Sequence, residues 1–232
     1  MAAERDQPGA DDPSGTGAPD EVRVSTKFLR AAQWAADRHA EHAVGLPGTP
    51  SVAQVLGLAS LVLEDGGTER EAIAAMIVDA LGADVPVAEL RDRFGKKVTA
   101  LVEATHPDRG TIAPGRLPAR ADEWRARADA ALDHAATEAD PSALRIRAAG
   151  VLQEVRVLQR ELRRNGTIVY VRSPAPPPEL LDHVRAISAT LARRRPRAAT
   201  TAELRTTVTD VERLSEIETA TIAWRVTHAG AA

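Results

Sequence analysis

Cysteine is absent from the 232 residues, which excludes a disulfide framework, a thiolate-ligated zinc or iron–sulfur centre and a thiol nucleophile. Aromatic residues are nearly as scarce, at 3% against 44% hydrophobic overall, so the interior must be filled by Ala, Leu, Val and Ile. Small aliphatic side chains suit closely packed helices better than a β-sandwich, whose strands draw on aromatics and Thr. No apolar run approaches the roughly 18 residues of a membrane span, and the amino-terminal stretch lacks the apolar segment that directs secretion. Both absences lead us to expect a cytoplasmic chain with no membrane contact. Lysine occurs only at Lys27, Lys96 and Lys97. The formal net charge is −3, but residues 1–21 hold six acids against Arg5, a local −5 that leaves +2 for the rest. A nearly neutral body lacks the concentrated basic surface of a nucleic-acid-binding domain.

Four regions are expected. Residues 1–22 are rich in Asp, Pro, Gly and Ala, cannot bury enough surface to offset ordering entropy, and read as a disordered acidic tail. Residues 23–172 read as the main helical domain, 173–220 as a helical extension packed on it, and 221–232 as a flexible tail. Helical periodicity begins with Phe28, Leu29, Ala32, Ala35 and Ala36. After the Leu46–Pro50 break comes a face of Val52, Val55, Leu56, Ala59, Val62 and Leu63, stopped at Asp65-Gly66-Gly67. Thr68-Glu-Arg-Glu71 forms a capping box for a helix carrying Ile73, Met76, Ile77 and Leu81. Asp140-Pro141 places an acidic cap before a first-turn proline and opens a long helix from Leu144 to Leu162, ending at Asn165-Gly166. Ile168 to Val171 has strand character, yet an isolated strand would have no partner. Two further amphipathic helices follow Pro178. The fold class is all-α, a multi-helix bundle of about eight helices.

The stretch Lys27–Thr105 resembles the front of an HD-type metal-dependent phosphohydrolase domain. The nearest likeness is to Rel/SpoT-type guanosine tetraphosphate hydrolase domains and their small stand-alone relatives. The resemblance rests on Ala35-Ala-Asp-Arg-His-Ala40, Pro50-Ser-Val-Ala-Gln-Val-Leu-Gly-Leu-Ala59, Ala72-Ile-Ala-Ala-Met-Ile-Val-Asp79 and Leu90-Arg-Asp-Arg-Phe-Gly95. It continues at Ile146-Arg-Ala-Ala-Gly-Val-Leu-Gln-Glu-Val-Arg156. It implies one divalent ion held by two separate His residues, an Asp beside the second, and a distant Asp, all directed into one bundle pocket. Such an ion activates water and offsets the charge on the leaving pyrophosphate. Aligned with that pattern, Gln54 stands at the first His, Val78 at the second, Asp79 at its neighbour, and Gly150 at the distant Asp. The family's acidic pair falls on Gly82 and Ala83, a nucleotide-side Arg on Val44, and the His and Asn of the distant helix on Gln153 and Glu154. One carboxylate does not hold a divalent transition metal at useful affinity. The resemblance therefore implies a scaffold with a degenerate metal site, no catalytic residue and no cofactor.

Rival readings exist for several of these residues. His39, His42, Asp79 and His106 could form a displaced metal site, or be packed and solvated side chains. His134, His183 and His228 read as solvated surface. Arg145, Arg147, Arg156, Arg160, Arg163 and Arg164 line the long helix, either as a solvated face paired with Glu154 and Glu161 at helical spacing or, at Arg147 and Arg156, as a residual anion pocket. Arg193-Arg-Arg-Pro-Arg197 ends a helix, where cations suit the dipole, and has no interleaved aromatics to stack on bases. Gly45, Gly48, Gly66 and Gly67 match no phosphate-binding spacing. The expected function is a binding, regulatory or scaffolding module that pairs with a protein partner or senses a guanine nucleotide without cleaving it. Two alternatives stay open. One is an active phosphohydrolase with non-standard ligands, using an ion such as Mn²⁺. The other is an interaction module presenting Leu204, Val208, Val211 and Leu214 as an exposed apolar patch.

Overall fold

A computed structural model of the chain describes residues 24–41, 51–80, 85–105, 121–173 and 175–215. The acidic tail, His42, Val44, Gly82, Ala83, His106 and all residues after Ser215, including His228, lie outside them. The backbones of His39 and Asp79 are helical, while their side chains fall outside the description. Among the described residues the chain is all-α, with nine α-helices and no strand. These are α1 (Thr26–Glu41), α2 (Ser51–Glu64), α3 (Glu69–Ala80), α4 (Val87–Phe94), α5 (Lys96–Thr105), α6 (Ala121–Thr137), α7 (Pro141–Asn165), α8 (Pro177–Arg194) and α9 (Ala199–Leu214). The strand-like run Ile168–Val171 lies in a 3-10 helix, Gly166–Arg172, where each turn satisfies its own backbone and no pairing strand is needed.

Local sequence explains where several helices begin. The Thr68 backbone N–H donates to Glu71 Oε2 at 2.6 Å and Glu71 N–H donates to Thr68 Oγ1 at 3.3 Å, the reciprocal bonds of a capping box. Asp140 accepts from the Ser142 N–H at 2.8 Å, with Pro141 in the first turn of α7. Gly95 has φ +86°. A side chain there would be strained, and the glycine lets α4 end and α5 begin with no linker.

The core is built from small residues, as the composition requires. Ala31, Ala35, Ala74, Ala75, Ala148 and Ala149 are buried among Val55, Met76, Ile77, Leu90 and Leu152. At its centre α7 packs against α2, α3 and α5 and also against α8 and α9. Leu204, Val208 and Val211 of α9 are buried and Leu214 is half-buried. The exposed patch expected there is instead the face that α9 turns to its neighbours, since α9 packs on α7 and α8.

Helix α6 rests on α8. Trp124 meets His183 edge to face with ring centroids 5.7 Å apart, and Arg125 makes a two-pronged pair with Glu179 at 2.8 and 3.0 Å. The Arg194 guanidinium donates to the carbonyls of Ala135, Ala136 and Glu138, satisfying the open end of α6. His183 is thus half-buried rather than solvated, as is His134, which lies 3.4 Å from Glu138. Burial holds His183 below the usual imidazole value of 6.5, although the nearby Asp129 carboxylate pulls the other way. A base with a depressed folded value contributes full stability above its unfolded pKa and loses it as pH falls below about 6.5. We therefore expect the melting temperature of the parent chain to drop more between about pH 7 and 5 than that of His183→Leu. Identical pH profiles would show that the imidazole is fully hydrated.

Candidate functional site

Three helices carry the positions to which the metal-site resemblance points. Gln54 is on α2, Val78 and Asp79 are on α3, and Gly150 is on α7. Each of these helices packs against the other two. Two close approaches set their register. A Cβ at Gly57 would come within 2.8 Å of the Gln153 side-chain nitrogen, and one at Gly67 within 3.0 Å of Arg145 Cδ. Rising numbers on one chain segment meet falling numbers on the other, so α2 and α7 run antiparallel. Gln54 lies one turn from Gly57 on the same face, and Gly150 one turn from Gln153. Glu71 pairs with Arg145, so the end of α3 bearing Val78 and Asp79, about two turns further on, is level with Gln153. By this register Gln54 lies about one turn to one side of the Gly57–Gln153 crossing, Gly150 about one turn to the other, and the end of α3 bearing Val78 and Asp79 near its level.

What they offer chemically is sparse. Val78 is half-buried and packs against the hydrophobic core. Gly150 has no side chain, and a Cβ built there meets nothing within 4 Å. Gln54 contributes a half-buried neutral amide, leaving Asp79 as the one carboxylate of the four. That donor set does not fit a divalent ion, which needs several hard oxygen or imidazole ligands at fixed geometry. Among the described residues, no three His, Asp or Glu side chains come together where they could hold a metal.

The two glycines at this crossing should respond oppositely to substitution. Gly150 lies in the interior of α7 with open space where a methyl would go. Gly150→Ala is expected to stabilise the protein by about 0.5–1 kcal/mol through helix propensity alone. Gly57→Ala drives a methyl into the buried Gln153 amide, so any propensity gain is offset by displacing that side chain. Urea denaturation of the two variants measures the contrast, and equal stabilisation by both would mean that Gln153 moves aside freely.

Several arginines of α7 serve internal partners. Arg147 donates to the Thr105 carbonyl at 2.6 Å and so closes the end of α5. Arg156 pairs with Glu203 of α9 at 2.5 Å, and Arg163 with Asp210 at 3.1 Å. An anion at Arg156 would have to compete with the Glu203 carboxylate. Along α7 itself, Arg164 makes a long helical-spacing contact of 3.9 Å with Glu161. Arg145 and Arg195 instead join a cluster that local spacing could not disclose. Asp65 lies 2.5 Å from Arg195 and 3.8 Å from Arg145, which also pairs with Glu71. The side chains of Asp65 and Glu71 are each 3% exposed. Burial acts to raise the Glu71 carboxyl, but hydrogen bonds from Thr68 and Ser142 and the charge of Arg145 outweigh it and leave the group below its ordinary value. The cluster ties the α2–α3 corner to α7 and to the α8–α9 turn. Two members of the Arg193–Arg197 run thus have internal partners, Arg194 at the end of α6 and Arg195 at Asp65.

No helix among the described residues is long and apolar enough to cross a membrane. The family model described as HD domain matches residues 31–172, more than half of the chain. No curated protein matches it.

Proposed function

The chain belongs to the HD domain family, and from that membership we propose that it is a catalytically degenerate, guanosine tetraphosphate hydrolase-like member acting as a binding, regulatory or scaffolding module. The observation that carries this reading is Val78. It stands where the family pattern places a metal-binding imidazole, and its isopropyl group joins the apolar core. A lone Val would be one ligand lost. Together with Gly150 and Gln54 it leaves Asp79 without the partners that a divalent ion requires. Replacing His by Val and Asp by Gly also removes polar groups that would be costly to keep inside the bundle without their metal.

The module retains surface for a partner. Leu29 of α1 and Val52 and Leu56 of α2 are exposed at 62%, 46% and 46%, and the last two are one turn apart on one face of a helix that packs on α1. They are the large apolar side chains that a protein partner would cover. The guanine-nucleotide variant of the proposal places an intact nucleotide on the same scaffold without turnover. Cytoplasmic residence accords with either role.

The test is direct. The purified chain is assayed for bound Mn, Fe, Zn and Co, and for hydrolysis of guanosine tetraphosphate with added Mn²⁺. Calorimetric titration with the same nucleotide follows. We expect substoichiometric metal and no turnover, with heat of binding only if the nucleotide is the ligand. One equivalent of tightly held metal together with turnover would overturn the proposal in favour of an active phosphohydrolase with non-standard ligands.

A further inference from the structure

Asn165 is the one asparagine in the chain, and Gly166 follows it. The pair sits at the junction of α7 and the 3-10 helix, and both residues are exposed. We propose that Asn165–Gly166 is a self-modification site, at which the asparagine converts spontaneously to aspartate and isoaspartate and loosens the end of α7.

The chemistry needs only water. The Gly166 backbone nitrogen attacks the Asn165 side-chain carbonyl carbon, a C–N bond forms, and ammonia leaves with the proton released from the attacking nitrogen. The resulting five-membered imide is opened by water at one carbonyl or the other. One route gives aspartate; the other gives isoaspartate, with the main chain rerouted through the side-chain carbon. Glycine is the successor that hinders the attack least, because it carries no Cβ, and asparagine is among the residues that heat destroys first.

The folded geometry restrains the reaction without preventing it. The Gly166 N–H donates to the Leu162 carbonyl, closing the last turn of α7, and Gly166 adopts φ +63°. The Asn165 amide donates to Glu161 Oε2 at 2.8 Å. Both bonds must open before nitrogen and carbonyl carbon can meet. Helix ends open with the least free energy in a structure, so the rate of conversion follows the fraying of this turn.

The product cannot restore what the reactant made. Glu161 is only 5% exposed and now accepts from the Asn165 amide. A carboxylate at 165 has no proton to donate and faces Glu161 with like charge, at the helix end where the dipole already disfavours anions. The 3-10 helix that follows contains Tyr170, whose hydroxyl shares a buried 2.6 Å hydrogen bond with Ser215 at the end of α9. Loosening thus reaches the point where α9 is anchored.

The full-length native chain and the same chain unfolded in urea are held side by side at mildly alkaline pH, then digested and mapped by mass spectrometry for acid and isoaspartate at 165. We expect conversion in both, slower in the native chain by about tenfold or more, and a lower melting temperature for the converted fraction. Asn165→Asp should reproduce that drop, and adding Glu161→Gln should recover part of it. No native conversion in the time that fully converts the unfolded chain would overturn the proposal. So would equal rates in the two states, or an Asn165→Asp chain that melts like the parent.

Discussion

Asp65→Ala is expected to lower the unfolding free energy by about 3 kcal/mol, a large share of what a domain of this size holds. The loss comes less from the attraction removed than from what is left behind. Arg195 has a side chain only 12% exposed, and its partner within reach is Asp65 at 2.5 Å. Taking away the carboxylate strands a buried guanidinium, whereas Arg145 keeps Glu71. Surface pairs supply the control: Arg163→Ala breaks a bond to Asp210 from a side chain 54% exposed and should cost under about 1 kcal/mol. The midpoint of urea denaturation reads both, provided the slope is unchanged. A loss below about 1 kcal/mol for Asp65→Ala would mean that water reaches the cluster and hydrates Arg195.

The second large effect is a gain. A chain carrying Gln54→His, Val78→His and Gly150→Asp, with Asp79 native, is expected to take up one Mn²⁺, and the parent, on the proposed reading, far less than one. Gly150 has open space for the new Cβ, and the three helices already pack on one another. Metal binding to the folded state alone should then stabilise the variant by about 2.7 kcal/mol at a free-metal concentration a hundredfold above Kd. In the absence of metal the same variant should be less stable than the parent, because imidazole and carboxylate groups sit in a partly apolar setting without a partner. A folded triple variant whose melting temperature ignores Mn²⁺ would show that the positions do not converge closely enough to share an ion. Thermal denaturation with and without metal decides it.

How far these features could be read from sequence depends on the range of the interaction. The capping box at Thr68 and Glu71 and the cap at Asp140 involve residues two or three apart, and both are present. The all-α fold and the apolar stripe of α9 follow from periodicity. The partner of that stripe does not, because a buried face and an interaction patch have the same pattern until the neighbouring helix is placed. Arg145 shows the limit most clearly. Helical spacing puts no acid beside it, since Pro141, Ser142, Ala148 and Ala149 stand three and four residues away, and its carboxylates are Glu71 and Asp65, 74 and 80 positions away. His183 likewise carries no local sign that Trp124 of another helix covers it. Gly57 could have been noticed only as a glycine inside an otherwise strong helix pattern. The positions aligned with the family's ligands rest on order along the chain alone, which a resemblance supplies independent of contact.

The cluster at Asp65 has a consequence for synthesis. The Thr200 N–H that reaches Asp65 at 3.5 Å is 135 residues further along the chain, and Arg195 is nearly as far. As the chain leaves the ribosome, the α2–α3 corner emerges first with both acids unpaired and must keep them hydrated. Arg145 arrives with the start of α7, and Arg195 only after α8. Loop-closure entropy grows slowly with length, so the distance costs little in final stability, but contacts of such separation slow folding. Sealing of the bundle is therefore deferred until nearly the whole helical sequence has been made, and a nascent chain arrested before the end of α8 should expose a wet, acidic corner where the finished protein is dry.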